Sequence, residues 1–284
     1  MAEARATPPR GWPSLQHAAL HCWALRDPEE KRAATHAACA DFRDGALPLA
    51  EAAHWPEIPA TAAVGRPTRP ALVAPRRLAS RGLGSREGRA AFLHAIAHIE
   101  FNAINLAWDA VLRFPGMPHG YYADWVACAD DEARHFALLC ARLADFGQSY
   151  GDFDAHGGLW DMAERTAGDV LERMALVPRV LEARGLDVTP AMIDKLVQLG
   201  DPDTVAILEV ILREEVAHVA AGTRWFHHLC AQRGLAPRPT FIALLQRHAR
   251  DVLRGPFNRP ARRAAGFDDA ELDALAELDA APRP

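Results

Sequence analysis

Two Glu-x-x-His pairs, Glu132 with His135 and Glu215 with His218, constrain the fold of this chain more than any other feature. Residues three apart on an α-helix lie about 60° apart around its axis, so each glutamate shares a face with its histidine. In both segments that face is otherwise apolar. Because single Glu-x-x-His pairs also occur by chance on solvated helices, the surrounding pattern must decide between a surface pair and a metal site.

The pattern around the pairs is helical over most of the chain. Four long segments have apolar residues at helical spacing and end at Gly, Pro or Asp signals, and these are residues 85–112, 119–146, 159–184 and 203–232. Shorter helices are predicted at 14–42, with a restart at Asp27 and Pro28, at 190–199 and at 238–254. No segment alternates like a β-strand, so we predict an all-α fold.

Each of the other two long segments has a glutamate on its apolar stripe, Glu100 on the first and Glu182 on the third. A buried carboxylate without a partner costs several kcal/mol, so cations must compensate for these charges. One Glu from each of two helices and Glu-x-x-His from each of two others is the arrangement by which a four-helix bundle holds two metal ions. We therefore predict a dinuclear metal site with these ligands: Glu100, Glu132, His135, Glu182, Glu215 and His218.

The spacing of the predicted ligands supports a repeated hairpin plan. Glu100 and Glu132 are 32 residues apart, and Glu182 and Glu215 are 33 apart, so antiparallel neighbours would bring each pair to one level. Glu172 is a rival to Glu182 but would give a spacing of 43. Glu214 is a rival to Glu215 but lies off the apolar stripe. Carboxylate and imidazole ligands favour iron, or alternatively manganese.

This ligand order resembles the ferritin-like di-iron carboxylate superfamily over about residues 85–232. The stretches LHAIAHIEFNAINLAWD, DEARHFALL, VPRVLEARGLDVTP, EEVAHVAAG and GPFNRPARRAAGF are similar to an uncharacterised bacterial family, domain of unknown function 455. That second likeness spans nearly the whole chain. It implies the bundle and the metal site but brings no established substrate.

The resemblance and the composition together suggest three parts. Residues 1–84 are predicted to form an N-terminal helix and a Pro-rich extended arm packed on the bundle, with a flexible linker as the alternative. Residues 85–233 are the predicted ferritin-like bundle, and residues 234–284 a C-terminal helix and tail. These extensions argue against an iron-storage shell. The loop at 147–158 would have to span the length of the bundle, for which its residues are just sufficient.

Bulk properties exclude several classes of protein. With 32 basic and 37 acidic residues, the net charge of −5 argues against nucleic-acid binding by bulk charge. No stretch has the length of a signal-peptide core or a membrane span, so we predict a cytoplasmic protein. The five cysteines are odd in number and form no Cys-x-x-Cys pair, which favours reduced thiols; Cys128 and Cys140 are predicted to be small buried hydrophobes.

Other polar residues have simpler explanations. His94 and His98 lie about 120° and 160° around the helix from Glu100, so a structural, surface or arm-contacting role is favoured over ligation. For Tyr121 and Tyr122, packing is favoured over a redox role. Asp131, Asp201 and Asp203 remain open as helix caps or as acceptors for the ligand histidines. Pro178 removes one backbone donor and is predicted to kink the third helix one turn before Glu182.

The leading functional hypothesis is a non-haem di-iron, or di-manganese, oxidoreductase that activates O₂ to oxidise or hydroxylate an organic substrate. A small molecule is the expected substrate, and a modified nucleoside is conceivable by analogy with a superfamily relative that hydroxylates a modified tRNA base. No flavin or nicotinamide motif is visible, so an external electron donor is expected, and the chain is a possible homodimer. The alternatives are a ferroxidase or other metal-handling protein, peroxide disproportionation at manganese, and a metal-free helical binding module.

Overall fold

The computed structural model describes residues 11–59, 63–79 and 81–281. The chain divides into two compact units, one up to Gly157 and one from Gly158 onward. Two parts of the sequence predictions lie outside the described residues. One is the argument about a leader, which includes the first ten residues, and the other is the part of the predicted arm at residues 60–62 and 80. The domain boundaries predicted after residues 84 and 233 stay a prediction.

The all-α class is confirmed. The α-helices in chain order are α1 (Leu15–Ala24), α2 (Pro28–Arg43), α3 (Arg86–Arg113), α4 (His119–Asp145), α5 (Gly158–Arg165), α6 (Val170–Leu176), α7 (Ala183–Gln198), α8 (Pro202–Gln232), α9 (Pro237–His248), α10 (Arg259–Ala264) and α11 (Asp269–Ala280). The part of the chain that is described contains one isolated β-bridge, between Leu72 and Ala155, and no strand. Within the same residues, no helix has both the length and the apolarity needed to cross a membrane.

Side-chain caps explain where three of the predicted helices begin. Asp27 accepts hydrogen bonds from the N–H groups of Glu29 and Glu30, both at 2.9 Å, and so starts α2. The Ser85 hydroxyl accepts from the third N–H of α3 at 2.9 Å, and Asp201 accepts from the Thr204 N–H of α8 at 3.2 Å. These caps satisfy amide groups that have no partner within the first turn. The bounds of α3, α4 and α8 fall within a residue or two of the predicted ones.

The first unit is built around α3 and α4, which pack against each other along much of their length, while α1 packs on α3 and α2 on α4. Lys31 ties these layers together in the interior. Its ammonium donates to the carbonyl oxygens of Cys22 and Trp23, at 2.6 and 3.1 Å, and to Asn105 Oδ1 at 2.6 Å. Three acceptors match the three N–H bonds of an ammonium, so the buried amine is satisfied.

In the second unit α8 packs against α6, α7 and α9, and also against a π-helical segment, Val177–Glu182. The prediction of one continuous helix over 159–184 is wrong, because α5 ends at Arg165 and the chain restarts at α6. Pro178 lies at the start of the π-helical segment, where the sequence predicted a kink. Its ring packs on Gly222, where an added Cβ would meet the ring carbons at 2.3 and 2.4 Å.

The predicted break near Pro190 is also wrong, because α7 runs through this proline as one helix to Gln198. Proline lacks the N–H that would bond to the carbonyl four residues earlier, here that of Leu186. The side-chain amide of Asn258 donates to this carbonyl at 3.0 Å instead. A residue of the C-terminal tail therefore satisfies the acceptor that the proline leaves, and the helix continues.

The tail is more ordered than the sequence indicates, since α10 and α11 follow α9. Two buried ion pairs hold these helices in the second unit. Arg179 donates to Glu271 at 2.7 Å, and Arg262 donates to Asp187 at 2.7 Å, with all four side chains almost fully buried. The Arg179 guanidinium also lies over three phenylalanine rings, at 4.0–4.6 Å from their centres.

Candidate metal centre

Three predicted ligands meet in the interior of the first unit. Glu100 extends from the middle of α3, and Glu132 and His135 extend from adjacent turns of α4. Their exposed fractions are 3%, 2% and 0%. Each offers a ligand atom, and these atoms lie within 4.8 Å of one another. The close packing of α3 on α4 therefore brings a carboxylate from one helix to the Glu-x-x-His pair of the other.

The distances within this cluster suit a shared ion. His135 Nδ1 lies 3.3 Å from Glu100 Oε2 and 3.4 Å from Glu132 Oε2. Two ligand atoms about 2.1 Å from a divalent ion, at an angle of about 90° to 110°, are roughly 3.0–3.4 Å apart. Charge-assisted hydrogen bonds are shorter, about 2.7–2.9 Å. The donor set, two carboxylates and one imidazole, is therefore compatible in geometry and chemistry with iron or manganese.

The electrostatics of the cluster show how strongly it attracts positive charge. Burial raises the pKa of Glu100 well above its usual value, and the neighbouring charge of Glu132 raises it further. For His135, burial alone would lower the pKa, but the hydrogen bonds and charges of Glu100 and Glu132 outweigh it and raise the pKa to about 11. Two carboxylates at one buried position favour a cation between them, either a proton or a metal ion.

The second unit holds the other three predicted ligands. Glu215 and His218 lie one turn apart on α8, both buried, with Glu215 Oε1 3.6 Å from His218 Nδ1. Glu182 is half-buried and ends the π-helical segment. Single turns of π-helix inside α-helices are frequent at functional sites. The second Glu-x-x-His pair is buried like the first, and its carboxylate oxygen and imidazole nitrogen have a similar separation.

The structure gives the rival glutamates other neighbours. Glu172 lies on α6 with an oxygen 3.8 Å from His248 Nε2 on α9. Glu214 is half-buried, and its Oε1 lies 3.6 Å from the guanidinium of the adjacent Arg213. Glu172 and Glu214 thus have other contacts, and the choice of Glu182 and Glu215 as ligands stays a prediction.

A family model described as "Protein of unknown function (DUF455)" matches residues 24–273 of the chain. The chain belongs to this family. An uncharacterized protein of Haemophilus influenzae is 45% identical over 250 residues, which cover 84% of this chain and 87% of the relative. No solved structure matches the chain. Membership of DUF455 agrees with the second resemblance drawn from the motifs, and the match includes all six predicted ligands.

The structure separates His94 and His98 of this DUF455 chain from the ligand cluster. His94 Nε2 accepts a hydrogen bond from the Gly151 N–H at 2.9 Å, and His98 Nδ1 lies 2.8 Å from the Tyr150 hydroxyl. Burial lowers the pKa of each imidazole to about 4. Both histidines are therefore neutral structural partners of the loop after α4.

Tyr121 and Tyr122 are packing residues, since their hydroxyls donate to the backbone carbonyls of Ala110 and Phe114. The Asp201 side chain caps α8. Asp131 pairs with Arg134 at 2.7 Å, and Asp203 lies in the first turn of α8. Of the five cysteines, all free thiols, Cys128 is buried as predicted and Cys140 is half-buried.

The sequence interpretation missed Tyr150, which lies in the loop after α4 against His94, His98 and the aromatic residues next to two ligands. Its ring centre is 5.5 Å from that of Phe101 and 5.0 Å from that of Phe136. The available signal was a tyrosine beside Gly151 in the loop after α4. That signal is weak, because the contact depends on how the loop folds back onto α3.

Proposed function

We propose that this chain is a dinuclear metal oxidoreductase that uses iron, or alternatively manganese, to activate O₂ for the oxidation or hydroxylation of a small organic substrate. The observation that carries the proposal is the buried convergence of Glu100, Glu132 and His135 in the first unit. Two facing carboxylates in a buried position lower the stability of a protein unless a cation neutralises them, because buried charges are normally paired.

The proposal includes the ferritin-like four-helix bundle that the sequence predicts. The two halves of the chain repeat one plan, a Glu followed 32 or 33 residues later by Glu-x-x-His. Bundles of this kind hold two ions with a Glu from each of two helices and Glu-x-x-His from the other two. In this proposal Glu100, Glu132 and His135 of the first unit and Glu182, Glu215 and His218 of the second hold the ions.

The chemistry of the residues fits such a centre. Bound iron or manganese would supply the change of oxidation state that O₂ activation requires. Four carboxylates balance the charge of two divalent ions and can bind them singly or in a bridge, and the two imidazoles are neutral nitrogen donors. The side chains of Phe101 and Phe136, each next to a ligand and each almost fully buried, keep bulk water away from Glu100 and His135.

The experiment that tests this function is O₂ consumption by protein loaded anaerobically with Fe²⁺, supplied with a chemical reductant and then exposed to air. The wild type is expected to consume O₂ repeatedly as long as reductant is present. A variant with Glu132→Ala and Glu215→Ala should consume no more than free Fe²⁺ does. The matched control is Glu172→Ala, which removes a glutamate that faces His248 in the same unit as Glu215. This variant should behave like the wild type.

Three outcomes distinguish the candidate functions. Sustained O₂ consumption that depends on Glu132 and Glu215 supports an oxidoreductase and justifies a search for the substrate by mass spectrometry of small-molecule extracts. One round of oxidation followed by retention of the oxidised iron supports metal handling instead. Wild-type protein that is folded and treats O₂ no differently from free Fe²⁺ contradicts the proposal.

A further inference from the structure

A cavity in the first unit lies beside the aromatic residues but is lined by residues other than the predicted ligands. Its volume is about 230 Å³, and its lining consists of residues 66–68 and 70–72 of the arm with His98, Phe101 and Tyr150. Leu72 is 43% exposed, so the cavity opens to solvent beside the arm. All of the residues that form it belong to the unit that ends at Gly157.

The arm segment over this cavity is fixed on both sides. The Gly65 N–H donates to the Trp23 carbonyl at 2.9 Å, and Arg26 Nε donates to the Arg66 carbonyl at 3.1 Å. At the other end, the Ala155 N–H donates to the Ala71 carbonyl at 3.0 Å, and the Val73 N–H donates to the Ala155 carbonyl at 2.8 Å. A cavity whose wall is held in this way needs little ordering when a ligand enters, which favours binding.

Hydrogen bonds orient the polar groups of the cavity wall. The Asn102 side-chain nitrogen donates to the His98 carbonyl at 2.7 Å and lies 3.1 Å from His98 Nε2. An amide nitrogen is only a donor, so Nε2 is the acceptor in this contact. His98 Nδ1 lies 2.8 Å from the Tyr150 oxygen. This contact holds Tyr150 against His98 on the wall of the cavity, where its hydroxyl can contact a ligand.

The cavity has positive charge on its wall. Arg66 lines it, and its charge acts on the pKa of two other lining residues. Burial lowers the pKa of His98, and the charge of Arg66 acts in the same direction. Burial raises the pKa of Tyr150, and the charge of Arg66 opposes it. The described residues that line the cavity include no acidic side chain, so the wall favours an anion.

Apart from Thr68, the rest of the wall is apolar. Phe101 faces the cavity with Pro67, Pro70 and Leu72 of the arm. Phe101 cannot retreat easily, because its ring packs on those of Phe136 and Tyr150, at 5.6 and 5.5 Å between centres. Cavities of about 150 Å³ hold benzene, so one of this size holds a single ring with a small substituent.

We infer that this cavity binds a small carboxylate with a flat apolar body, of about the size of benzoate. The carboxylate is held by the Arg66 guanidinium and the Tyr150 hydroxyl, and the apolar body lies between Phe101 and the arm prolines. This site is separate from the proposed metal centre and does not depend on it, since none of the six predicted ligands lines the cavity.

The test is isothermal titration calorimetry of the full chain with benzoate, and with benzamide and benzylamine as neutral and cationic probes of the same shape. Benzoate should bind at least about tenfold more tightly than benzamide, and benzylamine should not bind, because hydrogen bonds between oppositely charged groups are stronger than those to neutral groups. Arg66→Gln should weaken benzoate binding about tenfold or more, and Tyr150→Phe about fivefold. Tyr122→Phe removes a buried hydroxyl outside this cavity and should leave the affinity unchanged.

Two further results would overturn the inference. The first is folded wild-type protein that shows no saturable benzoate binding, or binding that neither Arg66→Gln nor Tyr150→Phe weakens. The second is that Arg66→Gln or Tyr150→Phe loses bound metal as well as benzoate binding, with the metal content measured in the same samples. That result would mean that the two sites are one. Loss of benzoate binding with the metal content retained supports a separate site and leaves the proposed function as a distinct question.

Discussion

Two buried regions of this protein hold charge in opposite ways. In the second unit Arg179 pairs with Glu271 and Arg262 pairs with Asp187, so each of these two cations has its own carboxylate at 2.7 Å. In the first unit Glu100 and Glu132 share a single imidazole, His135, at 3.3 and 3.4 Å. The two arginine–carboxylate pairs are neutral in themselves, whereas the cluster around His135 has more carboxylates than cationic groups.

This difference separates charges that serve the fold from charges that serve a site. A one-to-one ion pair holds the C-terminal helices in place and needs nothing further. A cluster of two carboxylates and an imidazole favours a cation between them, and under the proposed function that cation is a metal ion. Removing one member of a buried ion pair should therefore lower the stability of the fold, and removing a carboxylate of the cluster should lower the amount of bound metal.

The largest effect is expected from breaking an ion pair of the second unit. Arg179→Met leaves Glu271 buried without its cation and removes the stacking on three phenylalanine rings, so we expect a loss of about 3–5 kcal/mol in the free energy of unfolding. Urea denaturation measures it. The control is Arg259→Gln, which breaks contacts with the exposed Asp269 and Asp273 and should cost far less. Equal losses in the two variants would contradict a structural role for the buried pair.

The next effect concerns the metal. Wild-type protein at a metal concentration 100 times the dissociation constant should be about 2.7 kcal/mol more stable than protein treated with a chelator. Thermal unfolding with and without chelator measures the difference. Glu132→Ala should abolish this increment, while Arg259→Gln should keep it. A wild type whose unfolding is insensitive to both metal and chelator would count against the site.

A third test separates packing from charge in the second unit. Gly222→Ala places a methyl group within 2.4 Å of the Pro178 ring, so it should destabilise the protein by about 1–3 kcal/mol. Gly185→Ala is the matched control, since α7 leaves open space there and alanine favours a helix by roughly 0.5–1 kcal/mol. Denaturation curves that move the same way in both variants would mean that Pro178 and Gly222 are not in close contact.

The smallest effect has the opposite sign. Glu100→Gln keeps the shape of the side chain but removes one of two facing buried carboxylates, so metal-free protein should gain about 0.5–1 kcal/mol in stability while its affinity for metal falls. Urea denaturation in chelator gives the first quantity, and a metal titration gives the second. A loss of stability in chelator would show that Glu100 serves the fold.

The sequence predicted the elements that local chemistry determines. The restart at Asp27 and the apolar periodicity predicted α2, α3 and α4, and the shared face of Glu132 and His135 follows from helical geometry alone. The meeting of Glu100 with this pair was predictable from the short reversal at 114–118, because antiparallel neighbours return to the same level.

The sequence did not predict features that depend on distant partners. Pro190 indicates a helix end by local rules, but α7 continues through it, and Asn258, 68 residues later, donates to the carbonyl that the proline leaves without its helical donor. The pairing of Tyr150 with His98 likewise requires the loop after α4 to fold back on α3. The π-helical segment before Glu182 was foreseen only as a kink at Pro178, because its register depends on packing against Gly222.

The most direct test of the central claim is the metal content of protein purified without oxygen, measured by mass spectrometry of its elements and expressed per chain. The account predicts about two iron or manganese ions in the wild type and in Glu172→Ala, and their loss in the variant with Glu132→Ala and Glu215→Ala. Folded wild-type protein that is free of metal and does not take up added Fe²⁺ or Mn²⁺ would contradict it.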